Sequence, residues 1–287
     1  MSIEKRTTVA VLGTGLIGAP IARNLHERGF VVRTWNRTAA KAHVLAAGRA
    51  QACSSPEEAV QDADIIMTVL KDGPSVQEAM QAAAPALRRG AIWLQLSTVG
   101  IEAIKTLAAL AEQWGLTFYD APVQGTRQPA ELAQLIVMAS GPLAWRESVQ
   151  PVFDAIGKRT VWVSERPGAS SSLKLALNSW AFALNHGLAE SLALAKGLGV
   201  DPALVVDVVT GGPMDNGYFQ TKAAAILTEN YATSFSIANA TKDAQLVVAA
   251  ATQAGVRLDL AQAGLLRFER ALAAGHGDKD MAASCLA

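Results

Sequence analysis

Four stretches of this chain carry residues whose types and spacing could do chemistry. In Gly168-Ala-Ser-Ser-Ser-Leu-Lys174-Leu-Ala-Leu-Asn178, a lysine and an asparagine stand four apart and so share one face of a helix. Leu173, Leu175, Ala176 and Leu177 surround the amine, and partial desolvation there would suit it to proton transfer. A lysine that packs its stem and reaches to water fits the same pattern. Ser97-Thr98 follows the apolar run Ala91–Leu96, so its hydroxyls could face the crevice at the carboxyl end of a parallel sheet; Thr98 could equally cap the helix containing Ile101. Asp120-Ala-Pro-Val-Gln-Gly-Thr126 also follows a strand. Its Pro/Gly loop could turn backbone N–H groups toward a carboxylate, or Asp120 could simply fix a turn.

The fourth stretch is the most informative. An apolar run (Val9, Val11, Leu12) leads into Gly13-x-Gly15-x-x-Gly18; a helical pattern with Ile17, Ile21 and Leu25 ends at Gly29, and a second apolar run spans Phe30 to Trp35. Strand, glycine turn, helix, strand is the setting that a dinucleotide fingerprint requires. Gly13 allows the tight turn, Gly15 lets the backbone approach a pyrophosphate, and Gly18 lets helix and strand pack. The helix N-terminus, with Leu16 and Ile17 at the turn, offers unsatisfied N–H groups and a favourable dipole. An NAD site usually places Asp or Glu about 20 residues past the first glycine to bind the ribose 2′-OH. Here Asn36-Arg37-Thr38 stands at that place, with no acid from Val31 to Lys41. A guanidinium can bind a 2′-phosphate through paired, charge-assisted hydrogen bonds, so the expected cofactor is NADP(H), unless Arg37 is an ordinary solvated loop residue.

These residues need elements to position them. Short apolar runs alternate with helical stretches from Thr7 to about Ser164, and the pattern predicts strands over Ile65–Leu70, Ala91–Leu96, Thr117–Tyr119, Leu135–Ala139 and Arg159–Val163, with helices over Val76–Leu87 and Ile101–Trp114. After Pro167 the alternation stops. One long helix is predicted over Ser170–Gly197, then helices over Ala203–Val209, Tyr218–Leu227, Ile237–Ala254 and Asp259–Ala273. The expected fold is α/β: a Rossmann-type doubly wound N-terminal domain (1–164), followed by an all-α C-terminal domain (165–287) with a long interdomain helix.

Composition narrows the function. Of 287 residues 51% are apolar and the formal net charge is +0, enough for a large core and without the basic clustering that nucleic acid needs. Cys53 and Cys285 suggest no disulfide framework, and His26, His43, His186 and His276 lack ligand spacing, so no metal is expected. The leading MSIEKRTT runs straight into the first strand, and Leu173–Leu198 is interrupted by Asn178, Asn185, His186, Glu190 and Lys196. A cytoplasmic location and no membrane partner are the expectations. The alanine-rich long helix suggests burial against another copy, in a homodimer through the helical domain.

Taken together, VLGTGLIGAPIARNL with NRT, LSTVG, DAPVQGT, SLKLALN, ATKDAQLVVAAA and GHGDKDMAA resemble the β-hydroxyacid dehydrogenase family, which includes 3-hydroxyisobutyrate dehydrogenases, tartronate semialdehyde reductases and glyoxylate/succinic semialdehyde reductases. The resemblance covers essentially the whole chain. It implies that Lys174 is the catalytic lysine, that Asn178 helps place the substrate, and that Thr98 and Lys242 lie near the nicotinamide end, with Asp243 the acid of the Lys-Asp pair. Leu70 and Lys71 match a Leu-Pro turn against the cofactor, Lys71 departing from the proline, and Ser75 falls on the same side. Ser97, Val123, Gln124, Gly125 and Thr126 fall to the substrate. The family's NRT-bearing members look NADP(H)-dependent. Its loop usually reads DAPVSGG; here Gln124 and Thr126 replace a serine and a glycine that hold the substrate carboxylate. The expected activity is NADP(H)-dependent interconversion of a small β-hydroxyacid-type alcohol and its aldehyde or ketone, with Lys174 as general acid/base. The alternatives are an imine reductase-like enzyme and a non-catalytic NADP(H)-binding sensor or scaffold.

Overall fold

Successive residues of the central strands are apolar on both sides, which suits a parallel sheet buried on both faces. The computed structural model describes residues 6–43 and 50–287; the leading segment 1–5 and the side chains of Lys41 and His43 lie outside that description. The first half runs β1 (Thr8–Leu12), α1 (Gly18–Glu27), β2 (Val31–Trp35), α2 (Ala39–His43), β3 (Gln51–Ala52), α3 (Pro56–Val60), β4 (Ile65–Thr68), α4 (Gly73–Ala83), β5 (Ile92–Gln95), α5 (Ile101–Gln113) and β6 (Thr117–Asp120). It continues with β7 (Val123–Gln124), α6 (Arg127–Glu131), β8 (Leu135–Ser140), α7 (Arg146–Ile156) and β9 (Gly157–Ser164).

Among the described residues the strands form one sheet in the order β3-β2-β1-β4-β5-β6-β8-β7, with β9 on β8. From β3 to β6 the neighbours are parallel; β8 runs antiparallel to β6 and β7 and parallel to β9. The chain order reverses at β1, between β2 and β4, and the crevice at the carboxyl ends of such strands is where α/β sheets bind ligands. Val9 and Val11, Ile65 and Met67, and Ile92 and Leu94 enter one core, while Ala10, Leu12, Ile66 and Trp93 enter the other. Each large apolar side chain so buried stabilises the sheet by roughly 1.5–3 kcal/mol.

This is the doubly wound α/β layout that the alternation implies. The pattern did not reveal the short elements β3, α3, β7 and α6, nor α7, whose interior holds Pro151. α3 nonetheless carries a local signal: Ser55 accepts from the Glu58 N–H, the Glu58 carboxylate accepts from Ser54, and Pro56 opens the helix. α4 starts at Gly73, three residues before the expected Val76, because Asp72 accepts from the Ser75 N–H and Pro74 sits in the first turn.

Beyond β9 the chain is helical: α8 (Ala169–Gly197), α9 (Pro202–Val209), α10 (Gly217–Leu227), α11 (Ile237–Ala254), α12 (Asp259–Ala273) and a closing 3₁₀ turn at Met281–Leu286. The compact units are Met1–Lys174 and Leu175–Ala287, so the division between them falls inside α8. In the second unit Asp280 is a hub, accepting from Lys222 Nζ at 2.6 Å and from Ser234, Phe235 and Ala282. Burial alone would raise this carboxyl, but the Lys222 ammonium and the donors outweigh it and leave it below the usual carboxylate range. No helix among the described residues is long and apolar enough to cross a membrane.

His186 sits in the same unit with its ring 4.4 Å from that of Phe268 and against Gly264, where a Cβ would lie 2.7 Å from the imidazole Cδ2. Both ring nitrogens are buried without a hydrogen-bond partner. Burial above all, then Arg267 and Arg270, pushes its pKa from 6.5 down to about 4. A depressed folded pKa means that the unfolded chain binds the proton first, so this contribution is present above pH 6.5 and is lost as the pH falls toward 4. The full difference corresponds to about 3 kcal/mol. Denaturant unfolding of His186→Phe is expected to show a shallower loss of stability over that pH window; an unchanged acid slope would refute this role.

Candidate active site

The glycine turn after β1 separates its three glycines by what surrounds them. Gly13 has φ 109°, and a Cβ there would lie 2.2 Å from the Val69 carbonyl oxygen; at Gly18 it would lie 1.9 Å from the Gly13 oxygen. Both positions exclude a side chain because of the chain's own backbone. Gly15 does not: nothing lies within 4 Å of its missing Cβ. That open cradle fits a group as close to the backbone as a diphosphate. Beside it Leu16 is exposed, and Ile17 caps α1 without a side-chain hydrogen bond, which leaves N–H groups at the helix start for a ligand. The Thr14 hydroxyl is buried there without a partner.

Asn36 ties this turn to the exit of β2. Its Oδ1 accepts from the Thr14 N–H at 3.1 Å, and its Nδ2 donates to the Thr38 carbonyl at 3.0 Å. The side chain thus braces the loop, while Arg37 and Thr38 stand exposed beside it.

A buried polar network fixes the ends of β4 and β5. The Trp93 indole N–H donates to Thr68 Oγ1, the Thr68 hydroxyl donates to Gln95 Oε1, and that oxygen also accepts from the Ser97 N–H. The Ser97 hydroxyl donates to the Thr68 carbonyl and accepts from the Leu70 N–H at 2.8 Å. Its proton is therefore committed to the scaffold, and Ser97 holds the Leu70 turn in place. Leu70 packs on the core and Lys71 is exposed. Ser75 likewise gives its hydroxyl proton to Asp72 at 2.6 Å. Gly100, and not Thr98, stands at the N-cap position of α5. Thr68 and Gln95 escaped the reading of the sequence; a lone polar residue at the end of an apolar strand is the signal they left.

The loop after β6 does two things. Asp120, fully buried, accepts from the Gly168 N–H (2.9 Å), the Ser171 N–H (2.8 Å) and the Ser171 hydroxyl (2.8 Å), so it caps the start of α8 from a strand about fifty residues earlier. Burial pushes its carboxyl above the usual range, and these three donors pull the other way. Ser140 of β8 adds a bond to the Ser170 N–H and one between hydroxyls. Three residues past Ser171, Lys174 is 8% exposed and donates from Nζ to Gln124 Oε1 at 2.9 Å. Val123 is buried, Gln124 is held in the ladder opposite Ile136, and Gly125 adopts φ 134° with Leu135 and Pro129 crowding its absent Cβ. Thr126 caps α6 without using its hydroxyl.

In the second unit Asn178, one helical turn beyond Lys174, donates from Nδ2 to Asp243 Oδ2 at 2.9 Å. Lys242 Nζ lies 2.6 Å from Asp243 Oδ1, an ion contact rather than a hydrogen bond. Asp243 thereby links the amide to a cation. Among the described residues no group of three or more His, Cys, Asp or Glu could hold a metal ion.

The family profile described as the NAD binding domain of 6-phosphogluconate dehydrogenase matches residues 8–164, and that described as NAD-binding of NADP-dependent 3-hydroxyisobutyrate dehydrogenase matches residues 168–286. The chain is 30% identical over 279 residues to glyoxylate/succinic semialdehyde reductase 1 of Arabidopsis thaliana, covering 96% of each. It is similar to the crystal structure of a 3-hydroxyisobutyrate dehydrogenase from Salmonella typhimurium, with TM-score 0.90 and 26% identity over 98% of this chain and 99% of that one. With an imine reductase from Pseudomonas sp. it shares the fold alone, at TM-score 0.65 and 21% identity over 99% and 100% of the chains.

The cap on α8 makes a direct prediction. Asp120→Ala strands two backbone N–H groups and is expected to cost about 2 kcal/mol of stability or more, whereas Asp120→Asn keeps an oxygen for them and should cost less than half as much. Equal losses in the two variants, read by urea unfolding, would show that the hydrogen bonds are not what holds the helix.

Proposed function

This chain belongs to the β-hydroxyacid dehydrogenase family, and we propose that it is an NADP(H)-dependent oxidoreductase that interconverts a small β-hydroxyacid-type alcohol and its aldehyde or ketone. One observation carries this most directly: Lys174 is buried, stands just past a capped helix start, and directs its ammonium at the DAPVQGT loop. When bound, the nicotinamide cofactor supplies the hydride. Lys174 gives a proton to the substrate oxygen as negative charge builds there, and takes it back in the oxidative direction. Asn178, steadied by Asp243, helps hold that oxygen, and Val123 to Thr126 receive the remote group of the substrate.

The cradle at Gly15 and the brace at Asn36 support a dinucleotide with Arg37 on its 2′-phosphate. Thr98, Lys242, Leu70 and Lys71 are assigned to the nicotinamide side. Imine reduction is the second reading, favoured by Gln124 where the family loop carries serine. A homodimer through the helical unit is supported by its unburied apolar side chains: Trp180, Leu194, Leu198, Leu204, Val208 and Met214 are each more than half exposed, and no residue of α9 is buried. The two free cysteines fit a reducing, cytoplasmic setting.

Assayed with NADPH and succinic semialdehyde, Lys174→Ala is expected to lower turnover at least ~10²-fold with cofactor affinity unchanged. Arg37→Asp is expected to do the opposite, weakening NADPH about tenfold or more relative to NADH while sparing turnover at saturating cofactor. Normal turnover in Lys174→Ala would remove the mechanism, and faster oxidation of NADPH with a cyclic imine than with the aldehyde would favour the second reading. Sedimentation velocity should give twice the chain mass; a monomer at micromolar concentration would remove the dimer.

A further inference from the structure

Gln124 and Lys174 meet because two separately anchored pieces of backbone bring them together. On one side, β7 pairs Val123 with Val137 and Gln124 with Ile136, and Gly125 locks the following turn in a conformation that side chains rarely adopt. On the other, Asp120 of β6 and Ser140 of β8 bind the first residues of α8. β6, β7 and β8 are neighbours in one sheet, so the ladder that places Gln124 also sets the start of the helix carrying Lys174. The result is the 2.9 Å bond from Nζ to Oε1. An ammonium has donors and no acceptor, so the amide must face it with its oxygen, and its two N–H donors are left for another group.

We propose that Gln124 is the positioning residue for Lys174: its amide oxygen holds the amine in the orientation from which the proton is transferred, and its amide N–H groups are the loop's donors to an oxygen on the remote part of the substrate. This rests on Lys174 being the proton donor of the proposed function. A loop serine in this place would offer one hydroxyl, whereas the longer amide spends its acceptor on the lysine and keeps its donors for the substrate.

The test reads the amine itself. The residue-174 peptide is followed by mass spectrometry after brief acetylation of the whole protein across a pH series, in wild type, Gln124→Glu and Gln124→Met. Glu places a negative charge against the ammonium and should move the labelling midpoint of residue 174 up by about one unit or more; Met has similar length but no acceptor and should move it down. With succinic semialdehyde and NADPH, Gln124→Met should lower kcat about tenfold, with the alkaline limb of kcat/KM shifting in the direction of the labelling midpoint. NADPH affinity should be the same in all three proteins. Coincident midpoints in wild type, Glu and Met would overturn the proposal, and a midpoint that rises in Glu decides in its favour even if the Met variant does not fold. Full turnover in Lys174→Ala would instead defeat the proton-donor reading, while the labelling midpoints would still report whether Gln124 holds the amine.

Discussion

A carboxylate that accepts three hydrogen bonds from the start of a helix is the constraint on which the site depends. Asp120 sits at the end of β6, wholly out of water, and the N–H of Gly168, just before α8, converges on it with the N–H and hydroxyl of Ser171 in the first turn. An unpaired carboxylate so deeply buried would be strongly disfavoured, by several kcal/mol. Each charge-assisted bond returns about 1.5–3 kcal/mol, so the set offsets most of that cost without erasing it. Burial still prevails on the acidity, which stays raised. The arrangement is therefore tolerated because of what it positions: a helix whose amine lies three residues beyond Ser171.

The same logic runs through the nucleotide half. Near-continuous apolar runs bury the sheet on both faces, and that burial makes polar groups at strand ends costly unless they are paired. The chain pairs them with one another: Thr68, Trp93, Gln95 and Ser97 form a closed set whose last member holds the Leu70 N–H. Asn36 does similar work at the glycine turn. Loops at the carboxyl ends of the strands are thus held by side chains of the chain itself, while Gly15 has open space at its missing Cβ and Arg37 stands exposed.

Much of this was legible in the residues. The glycine turn announced its strand, helix and second strand because a short apolar run gives way across Gly13 to Gly18 to apolar residues spaced about four apart, and the expected helix from Ala203 met the observed start of α9 within one residue. Lys174 and Asn178 stood out through polar side chains on an apolar helix. What could not be read were pairings across long separations. Nothing in the sequence around Asp120 says that its partners are Gly168 and Ser171, and a turn-forming role looked equally good. Ser97 looked like a ligand hydroxyl because its place at a strand end is the same for a scaffold group; only the bonds to Thr68 and Leu70 tell the two apart. Gln124 could be seen as a departure from the family loop, but not as an acceptor for the lysine, since that contact spans fifty positions. Short elements such as β7 are similarly silent, because two residues carry no period.

The role proposed for the amine of Lys174 is to serve the oxygen of the substrate. The most direct measurement is a crystal structure of the protein with NADP⁺ and 4-hydroxybutyrate, the alcohol corresponding to succinic semialdehyde. Lys174 Nζ is expected within about 3 Å of the hydroxyl oxygen, with the carboxylate at the Val123–Thr126 loop. A bound ligand whose hydroxyl is held by other groups, with Nζ turned to bulk water or bonded only to the carboxylate, would contradict it.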